Sequence, residues 1–500
     1  MKMSSMNYER FKKQISKVTD LTNAGAVLAW DQETYMPKKG GEFRAQQIAT
    51  LQTMSHEYFV SEETGKLIEE ALKEDLSEEQ RINLLLVRKD YEKKKKYPAS
   101  FVEELTKATA SGFNFWHEAR TKNDFSIFSP LLQKIVELKR KEAEFIGYEK
   151  HPYNALMDDY EPGLTVDKMD EVFNAVKNEL FPFLKQVLSK KKVRSDFIYR
   201  KFDRKKQWEF SEKIVRKMGY DFDAGRADYA PHPFCTTFSP GDVRITIRAS
   251  ENHYNEMFFA ATHEAGHALY EQGLPMKEHY GLPMGSALSM AFHESQSRFW
   301  ENNITRSKPF WLGHFSELKK EFQDSLGDVT AEEFYQGVNL VEPSLIRVEA
   351  DELTYHAHIY IRYIIEKSLI EGTLQVKDVP AFWNQCYEEY LGIRPKNDAE
   401  GCLQDVHWSF GGIGYFPTYS LGSFYAAQLK DAMRKSIPDL DQLVEKGNFT
   451  PALKWLRENI HVHGRKYNSE EILTRVSGSG LKFSYFMDYA RKKYGEIYGI

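Results

Sequence analysis

The sequence predicts a mainly α-helical fold carrying one small β-sheet, and three observations predict it. Through the first two hundred residues, apolar side chains recur at helical spacing among charges. Between about 226 and 253 the texture turns rich in Pro, Thr and Ser and holds one strictly alternating segment. Beyond it the helical pattern resumes and runs to the end, apart from a glycine-rich break at 411–414.

Each element has its own justification. EETGKLIEEALKEDL, SEEQRINLLLVRKDYEKKKK and IFSPLLQKIVELKRKEAEFIG place apolar residues three and four apart, the spacing that lines one helix face. SEEQ, residues 77–80, reads as a capping box opening the second of these. Its lysine run, residues 93–96, reads as a solvated helix end before Pro98. In VRITIR, Val243, Ile245 and Ile247 alternate with Arg244, Thr246 and Arg248, a strand with one wet face whose edge could pair with an extended peptide. The next helix is expected to start after Ser250 and stop at Gly273. The whole is expected to be one domain, with a helical lobe over about 1–225, a strand and site region over about 226–425, and closing helices over about 426–500.

Bulk properties exclude several classes. A chain of 500 residues that is 41% apolar and 28% charged can bury a large core. A formal charge of −5 leaves no basic footprint for nucleic acid or anionic membrane. No run approaches the roughly 18 apolar residues of a membrane span. The amino terminus is charged where a signal peptide would need an apolar core. Cys235, Cys386 and Cys402 are few, odd in number and far apart, which fits a reducing compartment and predicts a cytoplasmic protein.

The chemistry concentrates in HEAGH, residues 263–267. On a helix, His263 and His267 face the same way and offer two imidazoles to one ion, with Glu264 beside them. The opposite face carries Ala261, Ala265 and Ala268, small enough to admit a neighbouring helix. A catalytic site needs a third protein ligand and an open position. The next strong helix supplies Glu294 in FHESQS as the candidate; the alternative is an ordinary surface acid. A Zn2+ held by His, His and Glu brings its water to a pKa near ~7, and Glu264 is placed to act as general base. Peptide-bond hydrolysis is the natural assignment.

These residues, with HPF at 232–234, DVRIT at 242–246, HESQ at 293–296, IRVEAD at 346–351 and GCLQDVHW at 401–408, resemble the Taq-type carboxypeptidases. The run WDQETYMPKKG from Trp30 extends the resemblance over essentially the whole chain. It implies a two-lobed helical fold with a deep substrate groove, similar to angiotensin-converting enzyme and thimet-type oligopeptidases. It further implies a homodimer that removes single C-terminal residues from peptides with a free carboxylate, with proline disfavoured. His263, His267 and Glu294 match the family's metal ligands, and Glu264 its base.

Further roles are expectations. Tyr415, with His407 beside it, is the expected oxyanion donor on a mobile glycine-rich loop; aromatic packing is the alternative. Arg347 is the first candidate for the substrate carboxylate, with Arg244 and Arg248 as alternatives and Tyr419 nearby. Asp351, Glu349, His232 and His293 are candidates for orienting the ligands, while His356 and His358 read as structural. The metal is expected to be one divalent ion per chain, Zn2+ first and Co2+ or Mn2+ next. Two other functions compete: an oligopeptidase or peptidyl-dipeptidase of similar fold, and a non-catalytic helical scaffold. The scaffold would need a closed four-ligand site, and only three ligands are visible.

Overall fold

The computed structural model describes residues 6–500 and opens with two long helices, Met6–Thr34 and Gly41–Val60, packed as a hairpin. Along the second of them only Ser55 is buried, so this hairpin is a surface feature. With the following helices it builds a small core of its own from Tyr8, Phe11, Ile15, Leu67, Leu84 and Tyr91, closed by Leu282. A second, much larger apolar core runs from Phe101 to Ile497. Two helices sit at its centre, Tyr355–Glu371 and Pro417–Ser436, each buried on nearly every side. Helices apolar or small all round belong in such interiors.

The capping box at Ser77 forms as expected, with Gln80 N donating to Ser77 Oγ (3.3 Å) and Ser77 N to Gln80 Oε1 (2.9 Å). In the lysine run after it, Lys94, Lys95 and Lys96 are exposed as expected, and Lys93 is half-buried. Lys93 lies between Asp158 (3.3 Å) and Asp159 (2.6 Å), and Lys96 donates to the Ile146 carbonyl (2.6 Å). The helix end is solvated except at Lys93, which ties it to the 146–159 segment.

Three strands form the sheet: β1 (Ala227–Tyr229), β2 (Cys235–Ser239) and β3 (Asp242–Ile247). Their order is β1-β3-β2, with β3 parallel to β1 and antiparallel to β2. Val243, Ile245 and Ile247 face the core, as the alternation requires. Thr246 is buried as well, because its hydroxyl accepts from the Phe234 amide (2.8 Å), so the wet face is reduced to Arg244 and, beyond the strand, Arg248. A central strand has no open edge; any pairing with a peptide falls to an outer strand.

The HEAGH helix spans Tyr254–Glu271, shorter at both ends than expected. A bridge between Ser250 and His253 keeps its entry extended. Gly273 is not its cap but the point where His461 crosses, since an added Cβ there would lie 2.2 Å from the His461 ring. A cavity of about 930 Å³ separates the amino-terminal hairpin, at Thr22, Ala26 and Gln52, from Tyr160, Ser289 and Met290 on the body. No helix among the described residues is long and apolar enough to cross a membrane.

Candidate metal centre and active site

The candidate third ligand arrives on the helix Met290–Arg298, which Ser289 starts by accepting from Phe292 N at 3.0 Å. Glycines on both flanks let this helix come close. A Cβ on Gly266 would stand 2.7 Å from Ser297 Cα, and one on Gly422 only 2.6 Å from Glu294 Cγ. The expected alanine face, Ala261, Ala265 and Ala268, is fully buried. It is Gly266, however, that admits the Glu294 helix.

Glu294 Oε2 then lies 3.6 Å from His263 Nε2 and 3.4 Å from His267 Nε2. Ligands about 2.1 Å from a tetrahedral ion stand about 3.4 Å apart, so this donor set fits a small divalent ion without rearrangement. The three residues are the group of potential ligands that the described residues bring together.

The neighbours fix which nitrogens face the gap. His263 Nδ1 is 2.9 Å from Glu301 Oε2, which accepts the Nδ1–H hydrogen bond and so leaves the lone pair on Nε2. His267 Nδ1 is 2.5 Å from His293 Nδ1, and His293 Nε2 is 2.8 Å from Glu271 Oε1. With a proton on His293 Nε2 held by Glu271, His293 Nδ1 accepts from His267, and His267 Nε2 is free as well. Burial, reinforced by His293, pushes His267 down to about 3, so it is neutral as a ligand must be. Burial alone would raise Glu294, but Arg298 and the two histidines outweigh it and hold the carboxyl well below its ordinary value. Arg298 Nε donates to Glu294 Oε1 at 2.7 Å and Nη1 to Glu301 at 3.2 Å, locking both acids. Glu264 is buried beside them, lifted to about 7 by burial and by Glu294 and Glu301, against the pull of His263 and His293.

Across the site, Tyr415 and Tyr419 are half-buried with rings 5.3 Å apart, and the Tyr419 hydroxyl is 3.3 Å from His407 Nε2. Burial and the Glu294 charge push the Tyr415 hydroxyl up to about 12, so it keeps its proton. Burial, with Arg347 next, takes His407 down to about 3. Arg347 lies under Tyr419 (5.0 Å), donates to Asp405 (2.9 Å) and to the Tyr355 hydroxyl (3.1 Å), and is almost fully buried. Asp405 is shared with Arg362 (2.7 Å), so two guanidiniums divide one carboxylate.

Other expected residues lie elsewhere. Arg244 forks onto Asp242 (2.8 and 2.7 Å) and stacks on Trp30 (4.3 Å); Arg248 pairs with Glu256 at 3.3 Å. Asp351 accepts from the amides of Leu353, Thr354 and Glu342, fixing the turn before Tyr355–Glu371. Glu349 and His232 are exposed. Of the four proposed orienting groups, His293 is the one hydrogen-bonded to a ligand side chain. His356 and His358 are buried against Ser420 and Tyr387 (3.0 Å each).

A model of the carboxypeptidase Taq (M32) metallopeptidases matches residues 10–494. The chain belongs to that family. Carboxypeptidase 1 of Bacillus subtilis is 40% identical over 99% of this chain and all of its own. Thermostable carboxypeptidase 1 of Thermus thermophilus is 40% identical over 96% of each chain. The crystal structure of the M32 carboxypeptidase from Deinococcus radiodurans superposes with a TM-score of 0.97 at 37% identity, over 99% of this chain and all of that one. This M32 chain is a metallocarboxypeptidase, a divalent-metal hydrolase of peptides.

Sequence reasoning missed Glu301, Arg298 and Glu271. Arg298 and Glu271 follow Glu294 and His267 by four residues on their helices, a spacing that was available to read. Glu301 sits in a π-helical stretch, Phe299–Thr305, which shifts the register after the Glu294 helix.

Proposed function

We propose that this M32 enzyme releases single residues from the free C-terminus of peptides, with broad specificity and proline disfavoured, using Zn2+ on His263, His267 and Glu294. Co2+ and Mn2+ suit the same donors less commonly. The ion, when bound, supplies a Lewis acid for the scissile carbonyl and makes hydroxide accessible near neutral pH. Glu264 takes the proton of the attacking water and passes it to the leaving amine; its lifted affinity for a proton suits both transfers. Tyr415 donates to the carbonyl oxygen as negative charge develops, with Tyr419 and His407 holding its surroundings.

Arg347 takes the terminal carboxylate. Of the three candidate arginines, Arg244 already has both fork positions on Asp242, and Arg248 reaches solvent. Arg347 and Arg362 together exceed the charge of Asp405 by one, which leaves a net positive field toward the site. Strand β2 packs against the helix Tyr254–Glu271 that carries Glu264. Its open edge offers hydrogen bonds to the peptide backbone. Three free cysteines support a cytoplasmic setting, and the family likeness supports one catalytic domain that works as a homodimer.

The observation that carries this reading is the pair of His–Glu distances, 3.6 and 3.4 Å, with Glu264 buried beside them. One unstructured peptide, offered as free acid and as C-terminal amide, tests it by mass spectrometry. A ladder of single-residue losses from the acid alone is expected, and Glu264→Gln should lower kcat by about 10²–10⁴ with the metal retained. Internal fragments from both forms would replace this reading with that of an oligopeptidase, and an active Glu264→Gln would remove the base.

A further inference from the structure

The glycine-rich loop that carries Tyr415 is fastened at both ends to one buried side chain. Glu366 lies in the central helix Tyr355–Glu371 and is fully buried. Its Oε1 accepts from the Trp408 indole (2.8 Å), the residue after His407. Its Oε2 accepts from the Gly414 amide (2.9 Å), the residue before Tyr415, and from the Tyr153 hydroxyl (2.5 Å). Both segments flanking the loop therefore end on one carboxylate.

The rest of the loop has little freedom to compensate. Gly414 has a φ of +99°, and a Cβ there would lie 2.8 Å from the Leu156 carbonyl oxygen. A Cβ on Gly112 would stand 1.8 Å from the Ser409 carbonyl oxygen, so the helix Ala99–Lys122 presses directly on the loop. Tyr160, just past the helix that carries Tyr153, sets its ring edge-on to Tyr415 at 5.1 Å. The loop is braced at Ser409 and Gly414, with the Tyr415 ring at its end.

We propose that Glu366 is a positioning residue for peptide hydrolysis, holding the loop so that the Tyr415 hydroxyl meets the developing oxyanion. This rests on the reading of Tyr415 as the oxyanion donor. A carboxylate is the residue type that fits: it is acceptor-only, so both oxygens can meet the three converging donors. An amide of the same shape would turn its own N–H groups toward either Trp408 or the Gly414–Tyr153 pair. Misplacement by about 1 Å far from the reacting atoms can cost about 10²-fold in rate.

The test is a double-mutant cycle with metal-loaded full-length enzyme, pairing Glu366→Gln with Tyr415→Phe. Tyr415→Phe alone should lower kcat by about 10²–10³-fold. Glu366→Gln alone should lower kcat by about 10–100-fold, with KM within about threefold and one metal per chain retained. In the Tyr415→Phe background the same change should cost less than about threefold, because the group it positions is gone. Hydrogen exchange of the peptide spanning 408–415 should accelerate in Glu366→Gln while the HEAGH helix keeps its protection. Should Glu366→Gln fail to fold, Trp408→Phe removes one donor and enters the same cycle. An equal loss in both backgrounds would overturn the proposal, as would a Glu366→Gln or Trp408→Phe enzyme with unchanged kcat. A fully active Tyr415→Phe would instead show that the underlying reading of Tyr415 fails, and the positioning role would fall with it.

Discussion

Gly422→Ala tests whether a missing side chain on one helix sets the metal affinity of another. The added Cβ would lie 2.6 Å from Glu294 Cγ, 2.7 Å from Glu294 Cβ and 3.1 Å from its backbone carbon. The contact with backbone means that Glu294 cannot escape by changing rotamer; the helix Met290–Arg298 must move. Overpacking of this kind costs roughly 1–3 kcal/mol. Replacing a mid-helix glycine returns about 1 kcal/mol of helix propensity, so the net loss of stability is about 0–2 kcal/mol. The effect on the site is larger, because the side chain displaced is the one that meets both His263 and His267. Displacing a ligand by a few tenths of an ångström should weaken metal binding at least as much as losing an outer-shell partner, about 10–100-fold. Competition with a chromophoric chelator measures it. Gly41→Ala is the control: nothing lies within 4 Å of its added Cβ, its φ is −61°, and about 0.4–1 kcal/mol of stabilisation is expected with unchanged metal affinity. If Gly422→Ala binds metal within twofold of the parent, the packing argument is wrong.

Glu301→Gln should weaken metal binding by about 100-fold and His293→Gln by about 10-fold or less, since Glu301 supplies a charge-assisted bond and glutamine can still accept from His267; chelator competition that reversed the order would refute the assignment. Burial takes His356 and His461 down to about 3, with both fully buried. Their folded pKa lies below the unfolded one of about 6.5, so the native state excludes their protons. The stability they contribute is present above pH 6.5 and is lost as pH falls toward 3, at about 2 kcal/mol each by pH 5. Denaturant titrations of His356→Gln between pH 6.5 and 5 should show a slope shallower by about one proton, and an unchanged slope would count against the burial argument.

The fold was legible where local rules act. Helical periodicity, the capping box at Ser77 and the alternation of β3 all depend on residues within a few positions of one another. The place of β3 at the centre of the sheet was not legible, because strand order is set by where β1 and β2 return and not by VRITIR itself. The ion pairs of Lys93 were not legible for the same reason: Asp158 and Asp159 lie more than sixty residues away. Gly266 and Gly422 carried a signal that went unread. Glycine inside a helix costs about 1 kcal/mol against alanine, so its presence within two strongly helical segments points to a close crossing.

At the site, the legible residues are those whose geometry one helix fixes. His263 and His267 face the same way because any α-helix puts residues four apart on one face. What supports them differs, and the difference is tertiary. His263 is backed by Glu301, itself held ionised by Arg298 and Arg306, so its Nδ1 donates to a buried, arginine-paired carboxylate. His267 is backed by His293, a neutral ring that passes the interaction on to Glu271. The two imidazoles are therefore unequal donors: the carboxylate-backed His263 gives more electron density, and His267 stays neutral more readily. On the proposed reading, that inequality would tune how much positive charge an ion held there presents to its water and the scissile carbonyl. It is written in residues 271, 293, 298, 301 and 306, and of these only His293 belongs to a motif that the sequence displays.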